Sequence, residues 1–179
     1  MNSKSELRVT AKKIRQSLNL SKISEAIIKK IKEFDLYKES KNVMIFYPLK
    51  DEINLLPLLN DNKNFYLPRV KDNYLEVCKY VLNDELCESC YHVLEPTCAP
   101  VKDIILDLVF VPALMVDKNN NRLGYGKGFY DRFLSELSQE TKSIVVIPDE
   151  LLVQKLPADK FDVPCNYVIT QKKASFERG

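Results

Sequence analysis

Residues 106–134 read LDLVFVPALMVDKNNNRLGYGKGFYDRFL. The first six are almost continuously apolar and stop at Pro112, the pattern of a buried strand rather than an amphipathic helix. Polar residues crowd positions 117–122, and the chain's internal glycines follow. A helix starting near Gly128 then fits the spacing of Phe129, Phe133, Leu134 and Leu137. Strand, loop and helix in that order is the repeating unit of a parallel α/β sheet.

The flanks repeat the pattern. Residues 42–47 (NVMIFY) form a second buried strand closed by Pro48, and 64–67 a third stopped by Pro68. Residues 74–81, 143–147 and 167–169 have strand composition, whereas 84–89 is ambiguous. Leu7, Ala11, Ile14 and Leu18 mark one face of an N-terminal helix. Ser21 reads as the cap of the next helix, with Ile23, Ile27, Ile31 and Phe34 inward. Residues 52–59 read as a short helix. With no internal repeat or linker, the expectation is one three-layer αβα domain over 1–179, with a mostly parallel, Rossmann-like sheet.

Composition limits what such a domain does. The chain has 179 residues, 45% apolar and 29% charged, with a formal charge of +2, which excludes a disordered chain. A chain this long buries roughly 70% of its unfolded surface. The longest apolar stretch, 104–116, contains Asp107 and Pro112 and is too short to span a bilayer. Residues 1–30 lack the apolar block of a secretory signal. Five cysteines, an odd number, suggest free thiols in a reducing compartment. The expectation is a cytoplasmic protein without membrane contact. Residues 1–32 carry a local charge of +7, leaving −5 for the remainder. Arg8, Lys12 and Arg15 each follow an apolar helix position by one residue, so their charges lean from the edge of the buried face toward an anionic ligand.

Gly124, Gly126 and Gly128 are the three internal glycines, all within five residues, and Gly179 is the fourth. Glycine serves where the backbone needs positive φ or must approach a ligand closely. Such a loop presents several N–H groups to one anion, and the helix that follows adds its positive end. Arg122 and Lys127 supply charge, and Asp131 is a candidate for holding a metal ion. A plain flexible turn is the competing reading, because the spacing matches neither the Walker loop nor the full dinucleotide fingerprint.

Taken whole, residues 107–134 resemble the signature of the 5-formyltetrahydrofolate cyclo-ligase family, whose members are also called 5,10-methenyltetrahydrofolate synthetases. Three further segments match in order: Lys4-x-x-Leu-Arg8, Tyr47-Pro-Leu-Lys-Asp-Glu52 and Leu156-Pro-x-x-x-Phe-Asp162. The resemblance implies ATP and Mg2+ as cofactors, and 5-formyltetrahydrofolate, with or without a polyglutamate tail, as substrate. It implies ATP contacts from Lys4, Arg8, Arg122, Gly124, Gly126, Lys127, Gly128 and Tyr130, with Arg122 and Lys127 acting on the transferred phosphate. It further implies substrate contacts from Tyr47, Glu52, Tyr91, Tyr125 and Phe129, and magnesium-side carboxylates at Asp131 and Asp162. Departures from the family pattern are Ala113 for Gly, Val116 for Phe, no glycine within 119–121, Phe161 for His and Asn166 for Asp.

The implied reaction joins the N5-formyl carbon to N10 of the reduced folate. Phosphorylation turns the formyl oxygen into a leaving group, so positioning and charge stabilisation are the main tasks. A monomer is expected. Two rival classes remain: a non-catalytic folate or nucleotide binder, and an RNA-binding module using the basic helix. The latter conflicts with the acidic body and with aromatics not interleaved among basic residues, so no nucleic-acid partner is expected. A zinc site at Cys87-x-x-Cys90-x-His92 with Cys98 has one correctly spaced pair but lacks the usual second pair.

Overall fold

The computed structural model describes residues 2–173. Helix α1 (Lys4–Gln16) opens on a capping box, in which the Ser3 hydroxyl accepts from the Glu6 amide and the Glu6 carboxylate accepts from the Ser3 amide. Helix α2 (Leu20–Glu33) is capped by Asn19, not Ser21, with Asn19 Oδ1 accepting from the Lys22 amide at 3.2 Å. Asn is as good a cap as Ser, so the earlier residue takes the role and Ser21 lies inside the helix. The short α3 (Asp35–Glu39) follows.

Strands β1 (Asn42–Met44), β2 (Asn64–Lys71) and β3 (Tyr74–Lys79) come next, then a small ribbon of β4 (Leu86–Glu88) and β5 (Leu94–Pro96). The central stretch gives β6 (Leu108–Val111), β7 (Met115–Asp117), β8 (Arg122–Leu123) and α4 (Phe129–Glu136). The chain continues through β9 (Lys142–Val146), β10 (Leu152–Val153) and β11 (Tyr167–Ile169). Six strands form the main sheet in the order β11-β9-β6-β1-β2-β3, parallel except for the antiparallel β2–β3 pair.

Side chains alternate across this sheet. Val43, Ile45, Leu108, Phe110, Ile144 and Val146 pack with Ile23, Ile27 and Ile31 of α2 and Tyr37 of α3. Met44, Val109, Val111 and Val145 pack on the other face with Ala11 of α1 and Leu134 of α4. This is the expected three-layer α/β architecture with a mostly parallel sheet. Ile27 and Ile31 have no exposed surface, and each such side chain contributes roughly 1.5–3 kcal/mol by leaving water.

Two expected boundaries are corrected. Pro68 does not end its strand, which continues to Lys71 opposite Tyr74. Partners from β1 stop at Tyr66, so the side on which Pro68 lacks an N–H has no strand to bond. Residues 52–59 do not form one helix. A turn holds Glu52, Asn54 Oδ1 accepts from the Leu56 amide, and a 3₁₀ turn with Pro57 near its start covers Leu56–Asn60. The Asx turn and the proline together displace the α-helical ladder. Among the described residues, no helix is long and apolar enough to cross a membrane.

Candidate active site

A cavity of about 480 Å³ opens where β1 and β6 end, with Tyr47 and Pro112 on its rim. Ligands of open α/β sheets bind outside the carboxyl ends of the strands. All fifteen site residues expected from the sequence line this cavity: Lys4, Arg8, Tyr47, Glu52, Tyr91, Arg122, Gly124, Tyr125, Gly126, Lys127, Gly128, Phe129, Tyr130, Asp131 and Asp162.

The glycine loop is held open by arginines. Arg8 Nε donates to the Gly124 carbonyl at 2.9 Å, and Arg132 donates to the Lys127 carbonyl at 2.9 Å and to the Asn73 carbonyl at 2.8 Å. Gly126 has φ +101 and Gly128, the cap of α4, has φ +71, conformations that side-chain-bearing residues rarely adopt. Gly124 does not take a positive φ; it supplies the carbonyl that anchors Arg8. Among the described residues, the amides of 124–128 donate no hydrogen bond, and the first amides of α4 follow them, so a row of N–H groups remains for an anion.

The cations of the site are partly neutralised by carboxylates. Arg122 is buried and bonds Asp131 at 2.8 Å, while its Nε is buried with no partner. Asp131 also accepts from the Val163 amide at 3.0 Å. Lys4 bridges Asp159 at 2.7 Å and Asp162 at 2.6 Å. Burial alone would lower the Lys4 ammonium, but hydrogen bonds and charge from Asp159 and Asp162 hold it above its ordinary range. Burial opposes ionisation of Asp162, yet Lys4, the Asp159 amide and Arg122 together hold it below the usual carboxylate range. The second oxygens of Asp131 and Asp162 make no hydrogen bond among the described residues. No group of three or more His, Cys, Asp or Glu side chains forms a metal cage among those residues. Two carboxylates with free oxygens beside unpaired amides and a buried arginine suit a triphosphate with magnesium, which keeps several waters and shares phosphate oxygens.

Toward Glu52 the surroundings change. The residue is 8% exposed, and its carboxylate accepts from the Leu49 amide and the Tyr125 hydroxyl, both at 2.7 Å. Burial pushes the Glu52 carboxyl upward, with those two bonds and Arg15 pulling the other way. Burial also drives the Tyr125 and Tyr130 hydroxyls far above the ordinary tyrosine range. Tyr91 meets Phe129 edge-on at 5.5 Å, with the Arg132 guanidinium 5.4 Å from the Phe129 ring.

Sequence reasoning missed several residues. Arg15 does not lean toward a ligand: it is buried and donates to the Asp51 and Ala113 carbonyls, tying α1 to the segments after β1 and β6. Its spacing of four from Ala11 on the buried stripe is the signal that finds it. Asp159 is found from its spacing of three before Asp162. Glu95, which lines the cavity beside Pro68, Val70 and Leu75, carried no such signal. Asn120, within the 119–121 stretch where the family pattern carries a glycine, takes φ +60, a conformation Asn tolerates better than most side-chain-bearing residues. Phe161, in place of the family histidine, is 75% exposed with the Lys160 ammonium 4.8 Å from its ring. Of the cysteine cluster, Cys98 donates to the Lys79 carbonyl and His92 bonds Glu88.

A mostly parallel sheet with a cavity at the carboxyl ends of its strands, lined by a glycine loop on one side and a buried carboxylate on the other, is the architecture of an open α/β protein. The family model of 5-formyltetrahydrofolate cyclo-ligases matches residues 1–171, and the chain belongs to that family. The mouse 5-formyltetrahydrofolate cyclo-ligase is 27% identical over 175 residues, covering 88% of this chain and 83% of the mouse protein. The Haemophilus influenzae cyclo-ligase is 30% identical over 139 residues, covering 71% and 74%. The NMR structure of Aquifex aeolicus 5,10-methenyltetrahydrofolate synthetase superposes with a TM-score of 0.84 at 28% identity, covering 97% of this chain and 92% of that one.

Proposed function

We propose that the chain catalyses ATP-dependent closure of 5-formyltetrahydrofolate to 5,10-methenyltetrahydrofolate, releasing ADP and phosphate. The observation that carries this reading is the division of one cavity into a cationic, amide-lined end and a buried-carboxylate end. Lys4, Arg8, Arg122 and Lys127, with the amides of the glycine loop, take the triphosphate. Glu52 receives N–H groups of the pterin edge, and Tyr47, Tyr91, Tyr125 and Phe129 pack against its rings. Asp131 and Asp162 would hold magnesium, which would offset charge on the phosphoryl group.

The chain's task is to keep the γ-phosphate in line with the formyl oxygen and to exclude water from the product of that transfer. Phosphate then leaves from the formyl carbon as N10 bonds to it, which closes the ring. Arg122, buried and preorganised by Asp131, stabilises the charge that moves during transfer without reorganising. Turnover of ATP with 5-formyltetrahydrofolate, followed by methenyl absorbance and by ADP release with and without magnesium, tests the reading. Equimolar methenyl product and ADP in the presence of magnesium are expected. Ligand binding with neither product would leave a non-catalytic binder instead.

A further inference from the structure

The wall formed by β2, β3 and the β4–β5 ribbon is mostly apolar, with Pro68, Val70, Leu75 and Val93 facing the cavity. Glu95 sits among them, 7% exposed. Its Oε1 accepts from the Val70 amide at 3.1 Å, an amide left free because β1 pairs only as far as Tyr66. Its Oε2 makes no hydrogen bond among the described residues. Nor is that oxygen sealed in: among the described residues the fully buried side-chain polar atoms without partners are Arg15 Nε and Arg122 Nε, so Oε2, on a residue that lines the cavity, keeps accessible surface. Arg69 does not pair with Glu95. Its guanidinium binds Glu76 at 2.8 Å and the carbonyls of Pro96 and Cys98 at 3.0 and 2.7 Å, clamping the ribbon in place.

Ring closure needs a proton acceptor. A secondary amine that attacks a carbon gains a fourth bond and must shed its proton before the product forms. His92, the single histidine, does not line the cavity, so the side chains there that can take a proton at neutral pH are carboxylates. Glu52 has both oxygens occupied, by Leu49 and Tyr125. Asp131, Asp159 and Asp162 are paired with Arg122 or Lys4, and an ion-paired carboxylate is a weak base. Glu95 alone of the five has an open oxygen and no cation bonded to it.

We propose that Glu95 accepts the N10–H of the bound folate and takes its proton as the ring closes. This rests on the cyclo-ligase reading above. As the N10–C bond forms, the C–O bond to phosphate breaks, phosphate leaves with that electron pair, and the N10 proton passes to Oε2. The product keeps the positive charge of the methenyl bridge, and no redox partner is needed. Burial raises the Glu95 carboxyl above its ordinary range, against the Val70 amide and the charge of Arg69, which makes it a stronger base than an exposed glutamate.

Glu95→Gln keeps an oxygen for the Val70 amide and removes the base. In single-turnover rapid quench with ATP and 5-formyltetrahydrofolate, ADP formation is expected within threefold of wild type. Methenyl formation is expected to fall about 100-fold or more, as for loss of a general base. Methenyl formation within threefold of wild type, or an equal fall in both products, would overturn the proposal. Glu95→Asp keeps the carboxylate but draws it back; the same separation of the two rates, in smaller degree, is expected there, so the test holds if the amide variant fails to fold. Absence of methenyl product from the wild-type chain overturns the cyclo-ligase reading and this one with it, whereas normal wild-type turnover matched by both variants overturns only the role of Glu95.

Discussion

Replacing Gly126 by alanine tests the anion loop most sharply. The residue sits at φ +101, and a Cβ there would lie 3.3 Å from Arg8 Cζ and 3.4 Å from its Nη2. Two costs follow. A side-chain-bearing residue in this backbone region costs about 1–3 kcal/mol. The Arg8 guanidinium must also retreat by a few tenths of an ångström, which loosens its 2.9 Å bond to the Gly124 carbonyl. The free loop escapes both by relaxing, and binding must then restore the strained form. An affinity loss of roughly 5- to 150-fold corresponds to 1–3 kcal/mol. Gly124→Ala is the control, because a Cβ there meets Arg122 Nη1 at an ordinary 3.4 Å without positive φ. Calorimetric titration with ATP and magnesium should show the loss for Gly126→Ala and a change under threefold for Gly124→Ala. Near-equal effects of the two substitutions, or none from the first, would refute the reasoning.

Other substitutions separate the two ends of the cavity. Lys127→Ala removes an exposed cation that makes no ion pair among the described residues, so the melting temperature should stay within about 2 °C while ATP binding weakens about 10-fold, the scale of one charged hydrogen bond. Titration with 5-formyltetrahydrofolate should remain within threefold; an equal loss of both affinities contradicts the division of labour. Glu52→Gln should leave the protein at least as stable at pH 7 in thermal melts. A carboxyl raised on folding binds its proton more tightly in the folded chain, so its contribution is full below the unfolded value and is lost as pH rises through the folded one. The same substitution should abolish measurable folate binding, and a variant that loses stability but keeps affinity would sink the assignment.

Much of this architecture was legible because the central strands carry it. Residues 43–46, 108–111 and 144–147 are buried on both faces, so their apolar runs are unbroken and polar residues or proline lie close to their ends. The glycine loop was legible because a chain sparing of glycine concentrates it where φ is positive. The β4–β5 ribbon was not: Leu86–Glu88 and Leu94–Pro96 are short, half-exposed and without alternation, and they are fixed by tertiary contacts such as the clamp from Arg69. Glu95 was missed for the same reason, since the amide it binds, that of Val70, is left free by the end of β1 and not by anything among its own neighbours in sequence. Arg15 was misplaced because a charged residue on the buried stripe needs backbone carbonyls from two other segments, which no local pattern reveals.

The central claim is that the formyl oxygen becomes a phosphate ester in this cavity before the ring closes. Turnover of substrate carrying 18O in the formyl group, with the released phosphate analysed by mass spectrometry, tests it directly. One 18O atom per phosphate is the expected result. Phosphate free of label, with methenyl product still formed, would contradict the account.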